Sequence, residues 1–116
     1  MRTVSAILAG VALLAAVSAC RAGGTDAATV RLKIKAGALV VDVRTPAEFA
    51  AGAYPGATNI PLAEIEQRLA DFGDHKRAIV VYCRSGNRSG QAKVILEKNG
   101  FSDITNGGVF KDMPPR

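Results

Sequence analysis

One of the two cysteines sits in the run Val80-Val81-Tyr82-Cys83-Arg84-Ser85-Gly86-Asn87-Arg88-Ser89-Gly90. There an apolar stretch gives way to a short polar loop, and a helical pattern follows at once. Thiolate is the reactive form of cysteine, and a helix N-terminus offers unpaired N–H groups and a partial positive charge that favour it. Arg84 and Arg88 add full positive charges beside the same position. The loop N–H groups from Arg84 through Ser85, Gly86 and Asn87 to Arg88 can converge on a negative sulfur, as oriented amides do in anion nests. Gly86 allows the backbone to curl without a Cβ clash. These residue types at this spacing predict a nucleophilic sulfur beside an anion cradle, in an enzyme acting on a small anion. Tyr82 and Arg84 at the mouth of a polar loop predict a reachable sulfur, not one sunk in the core.

Other chemistry-bearing residues are sparser. Asp42 and Arg44 form a charged pair at a strand end and read as structural support that braces neighbouring loops. His75 is the only histidine and lies in Gly73-Asp74-His75-Lys76-Arg77, a solvated connector with no partner to orient a base. His75 with a single cysteine makes no metal ligand set, so no metal site is expected.

The elements that must position Cys83 follow from periodicity. Ala38 to Val43 and Ala78 to Tyr82 are apolar and rich in β-branched residues, as buried strands are. Thr45-Pro46-Ala47-Glu48 is a capping box with proline at the first helical position, opening a short helix that stops near Gly52. Leu62, Ile65, Glu66 and Leu69 give a helical period through Phe72, with Gly73 as stop. Ser89 to Lys98 predicts a helix with Ala92, Ile95 and Leu96 inward and Gly100 beyond its end. Phe101 to Thr105 predicts a third strand, broken by Asn106-Gly107-Gly108. Val30 to Lys35 leans towards helix through Val30 and Ile34. Alternating strands and helices imply an α/β fold with a small parallel sheet covered on both faces, whose ligands sit beyond the carboxyl ends of the strands.

The first 19 residues read as a secretory signal: Met1-Arg2 starts positive, and Val4 to Ala19 is apolar or small. Val17-Ser18-Ala19-Cys20 resembles a bacterial lipobox, so Cys20 is expected to carry lipid as the mature N-terminus of an exported, periplasmic, membrane-anchored lipoprotein. Plain cleavage at the same bond is the alternative. Residues 21–29 are small and polar and read as a flexible tether, leaving 30–116 as one domain. With Cys20 lipidated, Cys83 has no partner for a disulfide in an oxidising compartment. The net charge of +5 is unclustered, and aromatics at 5% with no tryptophan leave little to stack on bases. Nucleic acid is therefore not an expected partner.

Taken in order, Asp42-Val43-Arg44, Glu48-Phe49, Pro55-Gly56-Ala57-Thr58-Asn59-Ile60-Pro61-Leu62, Val81-Tyr82-Cys83 with its loop, and Asn106-Gly107-Gly108 resemble a single-domain rhodanese, a sulfurtransferase. Tyr82-Cys83 followed by Ser89-Gly90-Gln91-Ala92-Lys93 is similar to the exported phage shock protein E type. The resemblance implies that Cys83 takes a sulfane sulfur from thiosulfate or a similar anionic donor. It then passes that sulfur to cyanide or a thiol acceptor through a persulfide, without a cofactor. Thiolate attack on a sulfur–sulfur bond needs only a lowered pKa and room for an anion. Arg84 and Arg88 are candidates for the sulfonate end of the donor, with only one expected to touch it.

Two other readings stand beside this one. A cysteine-dependent phosphatase or arsenate reductase places its arginine six positions after the cysteine, whereas Arg88 comes five after Cys83. A persulfide carrier or binding module in the envelope would keep the cysteine but turn over slowly.

Overall fold

A computed structural model describes residues 25–116. The expectations for the signal segment, for the lipidation of Cys20 and for most of the tether fall outside this range.

The first element is α1, Ala27–Lys35. It begins three residues before the domain boundary read from sequence, because Asp26 caps it by accepting the Thr29 N–H at 3.0 Å. Thr25 already donates its N–H to the Asn106 carbonyl, so the ordered fold begins before residue 30. Strand β1 (Leu39–Asp42) leads into α2 (Pro46–Ala51), whose capping box from Thr45 and Glu48 forms as expected. A short strand β2, Thr58–Asn59, was not foreseen; two residues carry too little pattern to announce a strand. Leu62–Gln67 and Leu69–Phe72 are two 3-10 segments rather than one α-helix, interrupted at Arg68 with φ −124°. They still bury Ile65 and Phe72, so the apolar spacing is used in tighter turns. Strand β3 is Ile79–Cys83, α3 is Asn87–Lys98, and β4 is Ile104–Val109.

The sheet is parallel throughout, in the order β2-β1-β3-β4. Strand β4 runs straight through Asn106-Gly107-Gly108, which the sequence marks as a break. The ladder slips there instead: Val81 pairs with Asn106 and Tyr82 with Gly108, leaving Gly107 as a bulge. A Cβ on Gly107 would meet Met113 Sδ at 2.9 Å and Val80 Cγ1 at 3.0 Å. The glycine thus sits in close packing, where a side chain would have to displace Met113 and crowd buried Val80.

Residues of β3 alternate between two apolar layers. Ile79, Val81 and Cys83 face Val41, Val43, Ala92, Leu96 and Phe72. Val80 and Tyr82 face Val30 and Ile34 of α1 together with Val40 and Tyr54. Both faces of the sheet are covered, and consecutive residues Tyr82 and Cys83 point to opposite sides.

Candidate active site

Cys83 ends β3 and is 0% exposed, a free thiol within the α3-facing layer. This corrects the expectation of a reachable sulfur. Strand alternation turns its side chain inward, and the loop that follows folds over it. Of the loop amides expected to converge on it, Gly86 does so, whereas the Asn87 N–H is directed to Ser85 Oγ and Ser89, beyond that set, supplies a second donor. Gly86 donates its N–H to Sγ at 3.0 Å and Ser89 donates its N–H at 3.3 Å. Gly86 achieves this with φ +94°, in the left-handed region, just before the first turn of α3. Helix α3 starts at Asn87, two residues before the sequence expectation, so its N-terminal end lies against the sulfur.

Ser89 is given no role at the sulfur by the sequence reading, which marks it as a helix start and part of the family motif, yet it contacts Cys83 directly. It is fully buried. The Cys83 thiol donates to Ser89 Oγ at 3.4 Å, and the Ser89 hydroxyl donates to the Gly86 carbonyl at 3.2 Å. When the thiol loses its proton, that hydroxyl is placed to turn and donate to the thiolate. Burial alone pushes the thiol pKa up. The Ser89 hydroxyl, together with the N–H groups of Ser89, Gly86 and Ser85, outweighs burial and holds the thiol below its ordinary value.

The two arginines of the loop part company. Arg84 is exposed, and no ion pair engages it among the described residues. Arg88 is clamped by Glu48 of α2, with Nη1 to Oε1 at 2.8 Å and Nη2 to Oε2 at 3.1 Å. Arg88 holds the Glu48 carboxyl down at about 2, helped by the Thr45 N–H. Glu48 lies 40 residues away in sequence, and only its capping role was visible there. Ser85 and Asn87 are exposed at the loop surface.

Asp42 and Arg44 occupy the other face. Asp42 is 0% exposed and accepts from Arg44 N–H at 2.9 Å, from Arg44 Nε at 2.9 Å and Nη2 at 2.7 Å, and from the Tyr82 hydroxyl at 2.7 Å. Arg44 also donates to the Gly52 carbonyl at 2.7 Å, and its guanidinium lies 4.6 Å from the Phe110 ring centroid. Burial pushes the Tyr82 hydroxyl up to about 12; the Tyr54 N–H opposes this, and Asp42 reinforces it. Tyr82 therefore stays a donor. His75 is exposed, its ring 4.3 Å from that of Phe101. No cluster of metal-ligating side chains occurs among the described residues.

The arrangement presents one desolvated sulfur, stabilised as an anion by dipoles, at the carboxyl end of a parallel strand. Comparison with known proteins agrees with it. Residues 26–111 match the family model described as a rhodanese-like domain. The chain is 40% identical over 74 residues to the thiosulfate sulfurtransferase PspE of Escherichia coli, covering 63% of this chain and 71% of that relative. Among solved structures, an E. coli rhodanese with anions superposes with a TM-score of 0.63 at 40% identity, covering 67% of this chain and 95% of that one. A human single-domain sulfurtransferase, TSTD1, gives a TM-score of 0.67 at 28% identity, over 79% of this chain and 95% of that one. The chain belongs to the rhodanese-like family.

Proposed function

We propose that this rhodanese-like chain is a thiosulfate sulfurtransferase working through a persulfide on Cys83. The Cys83 thiolate attacks the outer sulfur of thiosulfate. A new sulfur–sulfur bond forms, the donor's own sulfur–sulfur bond breaks, and sulfite leaves with the electron pair. A thiolate or cyanide then attacks the outer sulfur of the persulfide, leaves as an organic persulfide or thiocyanate, and returns Cys83 as thiolate. No external oxidant or cofactor enters either step. The N–H groups of Gly86 and Ser89 with the Ser89 hydroxyl hold the anion at the start and end of each cycle.

The observation that carries this reading is a fully buried sulfur whose hydrogen-bond partners are mostly amide donors. Relatives named as thiosulfate sulfurtransferases support the choice of donor. The clamp of Glu48 on Arg88 occupies the guanidinium fork that a phosphatase would need for a tetrahedral oxyanion. A thiosulfate:cyanide assay on the wild type and on Cys83→Ser tests the proposal. Transfer is expected to vanish in the variant, and the wild type treated with thiosulfate is expected to gain one sulfur on the Cys83 peptide, removable by cyanide. Transfer surviving in Cys83→Ser overturns the mechanism. A persulfide formed once and never released to acceptors would make the protein a carrier.

Export and anchoring through a lipidated Cys20 belong to the same proposal, supported by the signal-like first 19 residues. Cys20→Ala is expected to release the protein from membranes; continued membrane association would refute the anchor.

A further inference from the structure

Proceeding from the sulfur-transfer reading, we infer that Lys111 and Arg84 together form the charge selector for the anionic substrate, and that Arg88 does not share that role. A cavity of about 490 Å³ opens at the carboxyl ends of the strands, lined by Arg44, Glu48, Arg84, Val109, Phe110 and Lys111. Its lining includes two backbone neighbours of the nucleophile, though not the buried sulfur itself. Arg84 follows Cys83 in the chain, and Val109 pairs with Cys83 in the β3–β4 register. Lys111 stands two residues beyond Val109, in the 3-10 turn Phe110–Asp112.

The charges around this cavity do not weigh equally. Arg44 is neutralised by buried Asp42, and Glu48 is neutralised by Arg88. Lys111 and Arg84 are both exposed, and no ion pair engages either of them among the described residues. The cavity therefore carries an excess of two positive charges on flexible stems at its rim, over a wall of Val109 and Phe110. A second cavity of about 460 Å³, lined by Ser85, Asn87, Gln91, Val94 and Asn106 among others, has no charged side chain in its lining. Electrostatic attraction thus directs a small dianion such as thiosulfate to the Arg84–Lys111 side of the loop. Neither residue needs to touch the reacting sulfur to do so; Lys111 is a specificity residue.

The test uses the full chain with Lys111→Glu, Lys111→Gln and Lys111→Arg. Two readouts are compared. The first is the rate at which Cys83 is alkylated by iodoacetate, an anion, relative to iodoacetamide, which is neutral, followed on the Cys83 peptide by mass spectrometry. The second is KM against kcat with thiosulfate at low salt. Lys111→Glu is expected to lower the alkylation ratio and to raise KM, each roughly tenfold, with kcat within about twofold. Lys111→Gln is expected to fall between, and Lys111→Arg to restore both values. An unchanged ratio and KM in Lys111→Glu, in a protein that still transfers sulfur, overturns the selector. Absence of sulfur transfer in the wild type would instead overturn the underlying reading, while the alkylation ratio still reports on the charge.

Discussion

Two neighbouring residues of β3 serve two buried groups, the Asp42 carboxylate that Tyr82 faces and the sulfur of Cys83 itself, and the contrast between them separates a brace from the proposed reaction centre. On the Tyr82 side, the Asp42 carboxylate is met by a full guanidinium and a hydroxyl. On the Cys83 side, the sulfur is met only by dipoles. An ion pair in a low dielectric locks its partners, and removing one member leaves an uncompensated charge. Dipoles lower the energy of an anion without neutralising it, so the sulfur keeps its nucleophilicity. The Asp42–Arg44 network also ties β1 to Gly52 and stacks on Phe110, which holds the rim where Lys111 sits.

The contrast is sharpest in stability. Asp42→Ala strands the Arg44 guanidinium and is expected to cost about 3–5 kcal/mol in chemical denaturation. Cys83→Ser, in which transfer is expected to vanish, is expected to stay within about 1 kcal/mol of wild type. Similar losses for both would break the distinction between brace and reaction centre.

A smaller effect is expected at Ser89. Ser89→Ala removes a hydrogen bond that a charged sulfur uses more than a neutral one. Alkylation of Cys83 at neutral pH should slow roughly tenfold, and the ultraviolet absorbance of the thiolate should appear at higher pH than in wild type. An unshifted profile would assign the lowered pKa to the backbone amides alone.

The smallest effect belongs to Glu48. Its carboxyl is held at about 2 in the folded chain against an ordinary value of 4.5, so its contribution is full above that ordinary value and is lost as pH falls towards 2. Glu48→Gln should flatten the acid limb of the stability curve in that window. Near neutrality this partly exposed pair should change stability by less than about 1 kcal/mol. An acid limb identical to wild type would show that Arg88 is held by something else.

What the sequence disclosed, and what it hid, divides along the same physical line. The Thr45 capping box and the helix after Cys83 are local signals, legible because donors and acceptors lie within four residues, while β3 is legible from its run of β-branched residues although its hydrogen bonds reach β1 and β4. Cys83 burial was not legible, since flanking polarity says nothing about which face a strand's last residue takes. The Glu48–Arg88 clamp joins residues 40 apart, and no local pattern encodes it. Gly107 misled because glycine serves both chain breaks and tight packing, and only the neighbouring Val80 and Met113 decide between them. The two 3-10 segments kept the apolar spacing of an α-helix while changing its hydrogen bonds.

Glu48 Oε1 receives three donors at once: the Thr45 N–H at 3.0 Å, the Thr45 hydroxyl at 3.1 Å and Arg88 Nη1 at 2.8 Å. One oxygen is thereby a shared terminal for the opening of α2 and the opening of α3. Fraying at either end withdraws support from the other, so the two helix starts gain and lose order as a single thermodynamic unit. Amide hydrogen exchange at Glu48 and at Ser89 should accordingly rise together when either partner is removed.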